Sequence, residues 1–273
     1  MKRSFSAIFA MLLTAIVLLP SDVAAQCSST NTAFKSGEVL GYDLYFNWKF
    51  VWVNVGTANL SIKQSTYGGQ PAYCASLITR TAGKADKYFV MRDTLTAFMG
   101  TDLVPKYYRK RAREGKDYRC DDVWYSYPSG KCNVKMRFSK NGKPAENKSA
   151  SSKYCAFDMV SMMMRARSFN AGTYKKGQRI PFLMAEGKHC EWRDLVYHGK
   201  QVIKMENSSD RYRCLVFSYV EKEKGKEKEI IRFYITDDAN HVPVMLDMHL
   251  NFGSAKAYLR SAKGLRNATT AKV

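Results

Sequence analysis

Four residues in one short stretch carry the clearest chemical signal in this sequence: Tyr107, Arg109, Arg111 and Arg113, at every second position. In an extended chain that spacing puts all four side chains on one face, with Lys106 and Lys110 on the other. A row of guanidinium groups beside a phenol suits an anionic ligand, because each guanidinium can fork onto a phosphate or carboxylate. The plainer reading is a solvated strand face, or an edge strand guarded by like charge.

The most enzyme-like cluster is Asp237, Asp238 and His241. Two carboxylates and an imidazole can do acid–base work or hold a metal. They sit in Asp237-Asp238-Ala239-Asn240, between two apolar alternations, where a turn belongs. Asp and Asn form turns because their side chains bond nearby amides, and that reading is preferred. The further ligands of a calcium loop are missing from the sequence. His189, His198, His241 and His249 make no His-x-x-x-His pair, and there is no Gly-x-Ser-x-Gly or phosphate-binding glycine loop. The expectation is a protein with no catalytic residues, no metal and no cofactor, hence not an enzyme.

Seven cysteines, Cys27, Cys74, Cys120, Cys132, Cys155, Cys190 and Cys214, form no Cys-x-x-Cys pair. A thioredoxin-like or zinc-ribbon site therefore has no support. In an oxidising compartment such a count favours disulfides, and one thiol must be left over. Cys27, on a flexible end, is the expected odd one. Cys155 and Cys190 are imaginable as nucleophiles next to a histidine, but disulfide bonding is the preferred fate of both. Buried free thiols are the bland alternative.

The compartment is read from the first residues. Met1-Lys2-Arg3, an apolar run from Ala7 to Leu19 broken by Thr14, and Val23-Ala24-Ala25 make a secretory signal peptide cleaved after Ala25. The run is too short for a transmembrane anchor, which needs about 17–25 apolar residues. Gln26 directly before Cys27 argues against lipidation, since a lipoprotein signal wants a small residue there. The chain carries a net charge of +20, or +19 once Lys2, Arg3 and Asp22 are removed. Export excludes nucleic acid as the audience for that charge and leaves anionic lipid or glycan, or an envelope protein. The charge also serves solubility alone equally well.

The elements that must position these residues read as strands almost throughout. Leu40, Tyr42, Leu44, Phe46 and Trp48 alternate with polar or small residues, the period of a half-buried strand. Val51, Val53 and Val55 continue, and at Gly56 the phase flips to Ala58, Leu60 and Ile62, which predicts a bulge. Further strands are expected at 72–81, 86–98, 103–113, 118–125, 131–138, 179–184, 189–197, 201–206, 212–221, 230–236, 241–252 and 255–260. One helix is expected near 158–169, capped by Asp158. Its methionines are read as core filler rather than a plastic ligand face. Residues 141–153 read as a loop, 221–229 as a charged hairpin tip, and the tail from Ala262 as disordered. The fold class is mainly β: a large antiparallel curved sheet, partly open barrel or sandwich, in a single exported domain over 26–273, ordered about 34–260.

Phe34-x-x-Gly37-Glu38-x-Leu40-x-Tyr42, Gly56-Thr57-Ala58, Leu103-x-Pro105-x-Tyr107 and Phe157-Asp158-Met159-Val160-Ser161 stand in a particular order. They are followed by Thr236-Asp237-Asp238-Ala239-Asn240-His241-Val242-Pro243-Val244, Phe252-Gly253-Ser254 and Ala257-x-Leu259. Together these segments, over residues 34–260, resemble the exported bacterial family catalogued as domain of unknown function 3108. The resemblance implies a periplasmic all-β fold similar to the open-barrel envelope lipoproteins, and no established activity or site residue.

The expected function is a non-catalytic binding or carrier module for an anionic or amphipathic envelope molecule, lipid or glycan. Its apolar concavity takes the ligand, and Tyr107, Arg109, Arg111 and Arg113 take the headgroup. The alternatives are a scaffold or assembly factor for an envelope protein, and a hydrolase using Asp237, Asp238 and His241.

Overall fold

The computed structural model describes residues 27–48, 51–206, 208–223, 225–250 and 253–273. The signal peptide and its cleavage site lie outside the described residues, as does Phe252. The strands are β1 (Val39–Trp48), β2 (Val51–Tyr67), β3 (Gln70–Thr81), β4 (Met91–Gly100), β5 (Pro105–Glu114), β6 (Asp117–Ser126), β7 (Cys132–Lys140), β8 (Glu146–Ser152) and β9 (Ala156–Phe157). After helix α1 (Met159–Ala166) come β10 (Arg179–Glu186), β11 (His189–Lys204), β12 (Arg211–Glu223), β13 (Lys226–Thr236), β14 (Pro243–Leu250) and β15 (Gly253–Lys263).

Each strand pairs with its neighbours in sequence except β8 and β9, which do not pair with each other, and β1 pairs with β15, so one meander of 15 described strands curls almost shut. All neighbours run antiparallel except β9 and β10. The sheet's two edges, β8 and β9, are joined by only Lys153–Cys155. Across that seam Lys188 Nζ lies 3.0 Å from Glu146 Oε2, and Tyr154 meets Trp192 edge-on at 5.2 Å. The fold is a nearly closed barrel built from a single sheet.

The bulge predicted at Gly56 is present: Leu44 faces Gly56 while Tyr45 faces Asn54, leaving Val55 unmatched. Several expectations fall to the structure. Residues 86–90 are not strand; a 3-10 turn over Gly83–Lys87 forms instead, because Asp86 folds back onto Thr81 Oγ1 and Arg92, each at 2.6 Å. The supposed loop at 141–153 contains β8, an edge strand held by its backbone ladder to β7, with Glu146 to Ser149 left exposed. The tail is not disordered, and order does not stop near 260. Ala271 is fully buried, and Arg213 N–H donates to its carbonyl at 2.8 Å.

A further correction concerns the cysteines, Cys27 first. It is not the odd thiol on a flexible end but half of the disulfide Cys27–Cys155, and Cys190, expected to be bonded, is free, as are Cys74, Cys120, Cys132 and Cys214, so more than one thiol is left over. The segment that follows is docked: Ser29 N–H donates to Asp102 O at 2.8 Å, and Phe34 is fully buried.

Helix α1 lies inside the barrel against β3, β4 and β10. Asp158 caps it, accepting from Ser161 N–H and Ser161 Oγ at 2.8 Å each, so the Ser161 amide in the first turn is satisfied. Val160 and Met164 are fully buried, which bears out core filling, but Met159 and Met163 border open space. On one side of the helix the lumen is filled by Phe182, Leu195, Phe217, Tyr219 and Phe233 together with Phe169 and Tyr174. One end is sealed by a buried ion pair, Arg167 Nη1 to Glu38 Oε1 at 2.5 Å, with Arg167 also donating to the Asn240 carbonyl at 3.0 Å. Among the described residues no helix is long and apolar enough to cross a membrane.

Candidate functional site: the barrel lumen

β5 separates two kinds of chemistry by strand alternation alone. Tyr107, Arg109, Arg111 and Arg113 share one face, as expected, but that face is the outside of the barrel. Tyr108 and Ala112 turn inward and are buried, with Lys110 and Glu114 in the same phase. The arginine row therefore does not border the lumen, and the expectation that it grips the headgroup of a lumen-bound ligand is corrected.

On the outer face Asp122 of β6 gathers three of the four residues. Arg109 Nε and Arg111 Nη2 each lie 2.9 Å from its carboxylate, and Tyr107 donates its phenol to the same group. Burial works to raise the Asp122 carboxyl, yet the hydrogen bonds from Tyr107, Arg109 and Arg111 outweigh it and hold the group below the usual carboxylate range. Burial and then Asp122 push the Tyr107 phenol up to about 12. Arg113 stays exposed. Beside this cluster runs an aromatic row: Tyr67 stacks on Tyr107 at 6.0 Å, Phe98 lies 6.3 Å from Tyr107, and Trp124 lies 5.6 Å on its other side.

Between α1 and the wall of β1–β5 and β13–β15 lies a cavity of about 1490 Å³. Leu44, Leu60, Leu77, Leu95, Leu246 and Met248 line it, and Met159 and Met163 of α1 close its inner side. The end of β1, the start of β2 and the β3–β4 connection, where Tyr88 stands 79% exposed, also border it. Ligand sites commonly measure about 300–1,000 Å³, so this lumen is roomy enough for a long apolar group.

The wall also carries charge that the sequence reading missed. Asp93 of β4 and Lys110 and Glu114 of β5 line the cavity, and Lys110 Nζ lies 3.7 Å from Glu114 Oε1. Asp121 and Arg119 share the inward face of β6, opposite Lys110 and Ala112 in register. Burial, then the Glu114 carboxylate, moves the Asp93 carboxyl up to about 6. The signal was present: Asp93 stands in phase with Leu95, Ala97 and Met99, and Lys110 in phase with Tyr108 and Ala112. A charge in the apolar phase of a strand marks a polar spot on an inner wall.

The Asp237–His241 group is a turn, as preferred. Asp238 accepts from Thr236 Oγ1 at 2.8 Å and from the Asn240 and Ala271 amides at 3.1 and 3.3 Å, tying the turn to the C-terminal tail. Asp237 points to Lys200 at 2.9 Å, and His241 Nδ1 meets the Arg167 carbonyl at 2.6 Å. The three do not converge on a common point. A smaller cleft of about 320 Å³ beside Asp238 holds Asp210 and Asp43, already matched by Lys272 at 2.7 Å and Arg260 at 3.5 Å.

One histidine cluster was not foreseen. His198 Nε2 lies 2.7 Å from Ser218 Oγ, and Glu229 lies 4.0 Å from the same nitrogen and 3.5 Å from His249 Nε2. A serine relay needs its carboxylate on the opposite ring nitrogen, so this grouping is not one. Its members come from β11, β12, β13 and β14, a spread that no sequence motif marks.

No curated protein sequence matches the chain. Among solved structures, it is similar to the crystal structure of a β-barrel-like protein of domain of unknown function DUF1849 from Brucella abortus, with TM-score 0.55. The identity is 14%, over 85% of this chain and 99% of that one, a likeness of fold alone. Residues 41–260, which run from within β1 to within β15 around the barrel, match a family model, and the chain belongs to the proteins of unknown function DUF3108.

Proposed function

We propose that this protein is a non-catalytic carrier or binding module of the bacterial envelope, exported and working outside the cytoplasm, that shelters the apolar part of an amphipathic molecule in its barrel. The observation that carries this reading is the apolar cavity of about 1490 Å³, bounded inside by Met159 and Met163. A scaffold that works by its surface alone has no use for a hollow interior, since empty apolar space forfeits packing contacts. The Cys27–Cys155 disulfide is compatible with export. The test is native mass spectrometry of protein purified gently from its own cell envelope fraction, paired with uptake of a fluorescent fatty-acyl probe. A stoichiometric amphiphile, or saturable uptake abolished by Leu95→Trp, is the expected result. A clean unliganded mass together with no uptake overturns the reading.

A second reading concerns the outer face and is favoured by its aromatic row. Tyr67, Phe98, Tyr107 and Trp124 form a row of contacting rings beside the Arg109, Arg111 and Arg113 face, a surface suited to an acidic glycan, with sugars against the rings and acids on the guanidiniums. Binding of an acidic polysaccharide should then weaken steeply with salt and drop with the double variant Arg109→Ala/Arg113→Ala. Salt-independent binding, or none, removes it.

A further inference from the structure

Tips of turns and hairpins are ordinarily polar, because Gly, Asn, Asp and Ser suit tight turns and water solvates what a tip displays. Two neighbouring tips of this barrel are apolar instead. At the start of β2, Val51 is 62% and Val53 45% exposed, and directly after the 3-10 turn Tyr88 stands 79% exposed with Phe89 exposed beside it. The two tips are stitched together, since the Ala82 N–H at the entrance to the turn donates to the Val55 carbonyl at 3.1 Å. The turn fixes the aromatic pair, whose Tyr88 and Phe89 amides donate to the Ala85 carbonyl at 3.0 and 2.9 Å. Its one carboxylate, Asp86, is drawn back onto Arg92 and Thr81, while Lys84 and Lys87 stay exposed. Val53, Lys84, Tyr88 and Phe89 also line the cavity, so exposed surface and cavity lining meet along this rim.

We propose that this rim docks on the surface of a bilayer rich in anionic phospholipid. Val51, Val53, Tyr88 and Phe89 enter the boundary between headgroups and acyl chains, and Lys84 and Lys87 lie among the phosphates. Exposed apolar side chains clustered in one place mark an interaction site. The lysines decide which kind. Lysine is depleted at protein–protein interfaces, whereas at a lipid surface its stem packs on apolar groups while its ammonium reaches the phosphates. Tyrosine has the same double character and belongs at the level of the headgroups. Charge complementarity points the same way, because a chain of net charge +20 is drawn toward an anionic lipid surface. The cavity lining leans likewise, with Lys84, Lys110 and Lys256 against Asp93 and Glu114. The inference goes beyond the carrier reading and does not depend on it; together they place the cavity beside a source of amphiphile.

The test is cosedimentation of the whole mature chain with vesicles of phosphatidylcholine alone or of an equal mixture with phosphatidylglycerol. The mixed vesicles should bind at least about tenfold more tightly than the neutral ones, and added salt should weaken that binding. Val51→Ser/Tyr88→Ser and Lys84→Gln/Lys87→Gln should each lower the affinity by about tenfold, the first by removing apolar contact and the second by removing charge. Lys143→Gln/Lys148→Gln removes the same charge from exposed positions beside and within β8 and should change affinity by less than about twofold. No binding to the mixed vesicles overturns the inference, and so does equal binding to the neutral ones. A loss in the Lys143/Lys148 variant as large as in the Lys84/Lys87 variant also overturns it, since net charge alone then explains the attraction. So does a folded rim variant that binds as the unaltered protein does. Should one rim variant fail to fold by circular dichroism, the other still decides. A protein that binds vesicles but takes up no acyl probe keeps this inference and loses the carrier reading; uptake without vesicle binding does the reverse.

Discussion

Three carboxyls inside the barrel, Asp93, Asp121 and Asp158, are held at about 6 against an ordinary value of 3.8. Burial is the largest cause in each. For Asp93 it is reinforced by Glu114 and opposed by Lys110 and Arg119; for Asp121, Lys110, Arg119 and Arg111 oppose it and Glu186 reinforces it. For Asp158 the hydrogen bonds from Ser161 and Tyr125 oppose it. Because the folded values lie above the unfolded ones, the native state holds more protons between about pH 4 and pH 6, and stability falls as pH rises through that window. The thermal midpoint should therefore be higher near about pH 5 than near about pH 7.5, and Asp93→Asn should flatten that slope. Asp86, Asp117, Asp122, Glu206 and Glu229, whose values are lowered, act in the opposite sense in stronger acid, and His198, lowered chiefly by burial, opposes the trend below its ordinary 6.5. Scanning calorimetry across pH checks this, and a midpoint that climbs steadily to neutral pH contradicts it.

At the scale of the element, the β1–β2 bulge shows how a single residue type shapes the sheet. A Cβ at Gly56 would lie 2.0 Å from the Arg80 carbonyl oxygen and 2.7 Å from the Thr81 Cα, backbone atoms that have little room to retreat. Glycine here permits the close approach of β2 and β3 that closes the wall of the cavity beside Leu44 and Ala58. Gly56→Ala should cost about 1–3 kcal/mol, the ordinary range for overpacking, and show as a lower urea midpoint. This position was legible in the sequence, since the apolar phase flips at Gly56. The β3–β4 connection was not, because Asp86 acts through Arg92 and Thr81, partners that a strand pattern does not display. β8 escaped notice for a related reason: an edge strand with both faces wet needs no alternation, only a neighbour's backbone.

At the scale of the molecule, the curled sheet is pinned by contacts between segments distant in the chain. Cys27 joins Cys155 across 128 residues, and Arg165 of α1 donates to the Cys27 carbonyl. The arginine thus fastens the N-terminal segment to the helix that bounds the cavity. Cys27→Ser/Cys155→Ser should cost about 2–5 kcal/mol, as removal of a native disulfide usually does. Acyl-probe uptake should weaken with it, because the helix carrying Met159 and Met163 loses its tether. Denaturation with and without reductant checks the first, and a midpoint indifferent to reductant would contradict it. The other anchor is the C-terminal tail, whose Asn267 amide donates to the Thr32 and Ala239 carbonyls at 3.0 Å each. Such polar stitching leaves no periodic trace, which is why the tail read as disordered.

The sequence by itself determined the class of structure. Period-two alternation, hairpin turns and one capped helix demand a curved antiparallel sheet, because those patterns are imposed by backbone geometry within a few residues. It also determined that Tyr107, Arg109, Arg111 and Arg113 share a face, and that Asp237 to Asn240 form a turn. Which face looks inward, which cysteine finds Cys27, and that Asp93, Lys110 and Glu114 meet beside an apolar cavity were decided by tertiary structure alone. Those outcomes depend on how the sheet curls and where α1 lodges, and closure of the sheet is a property of all its strands together.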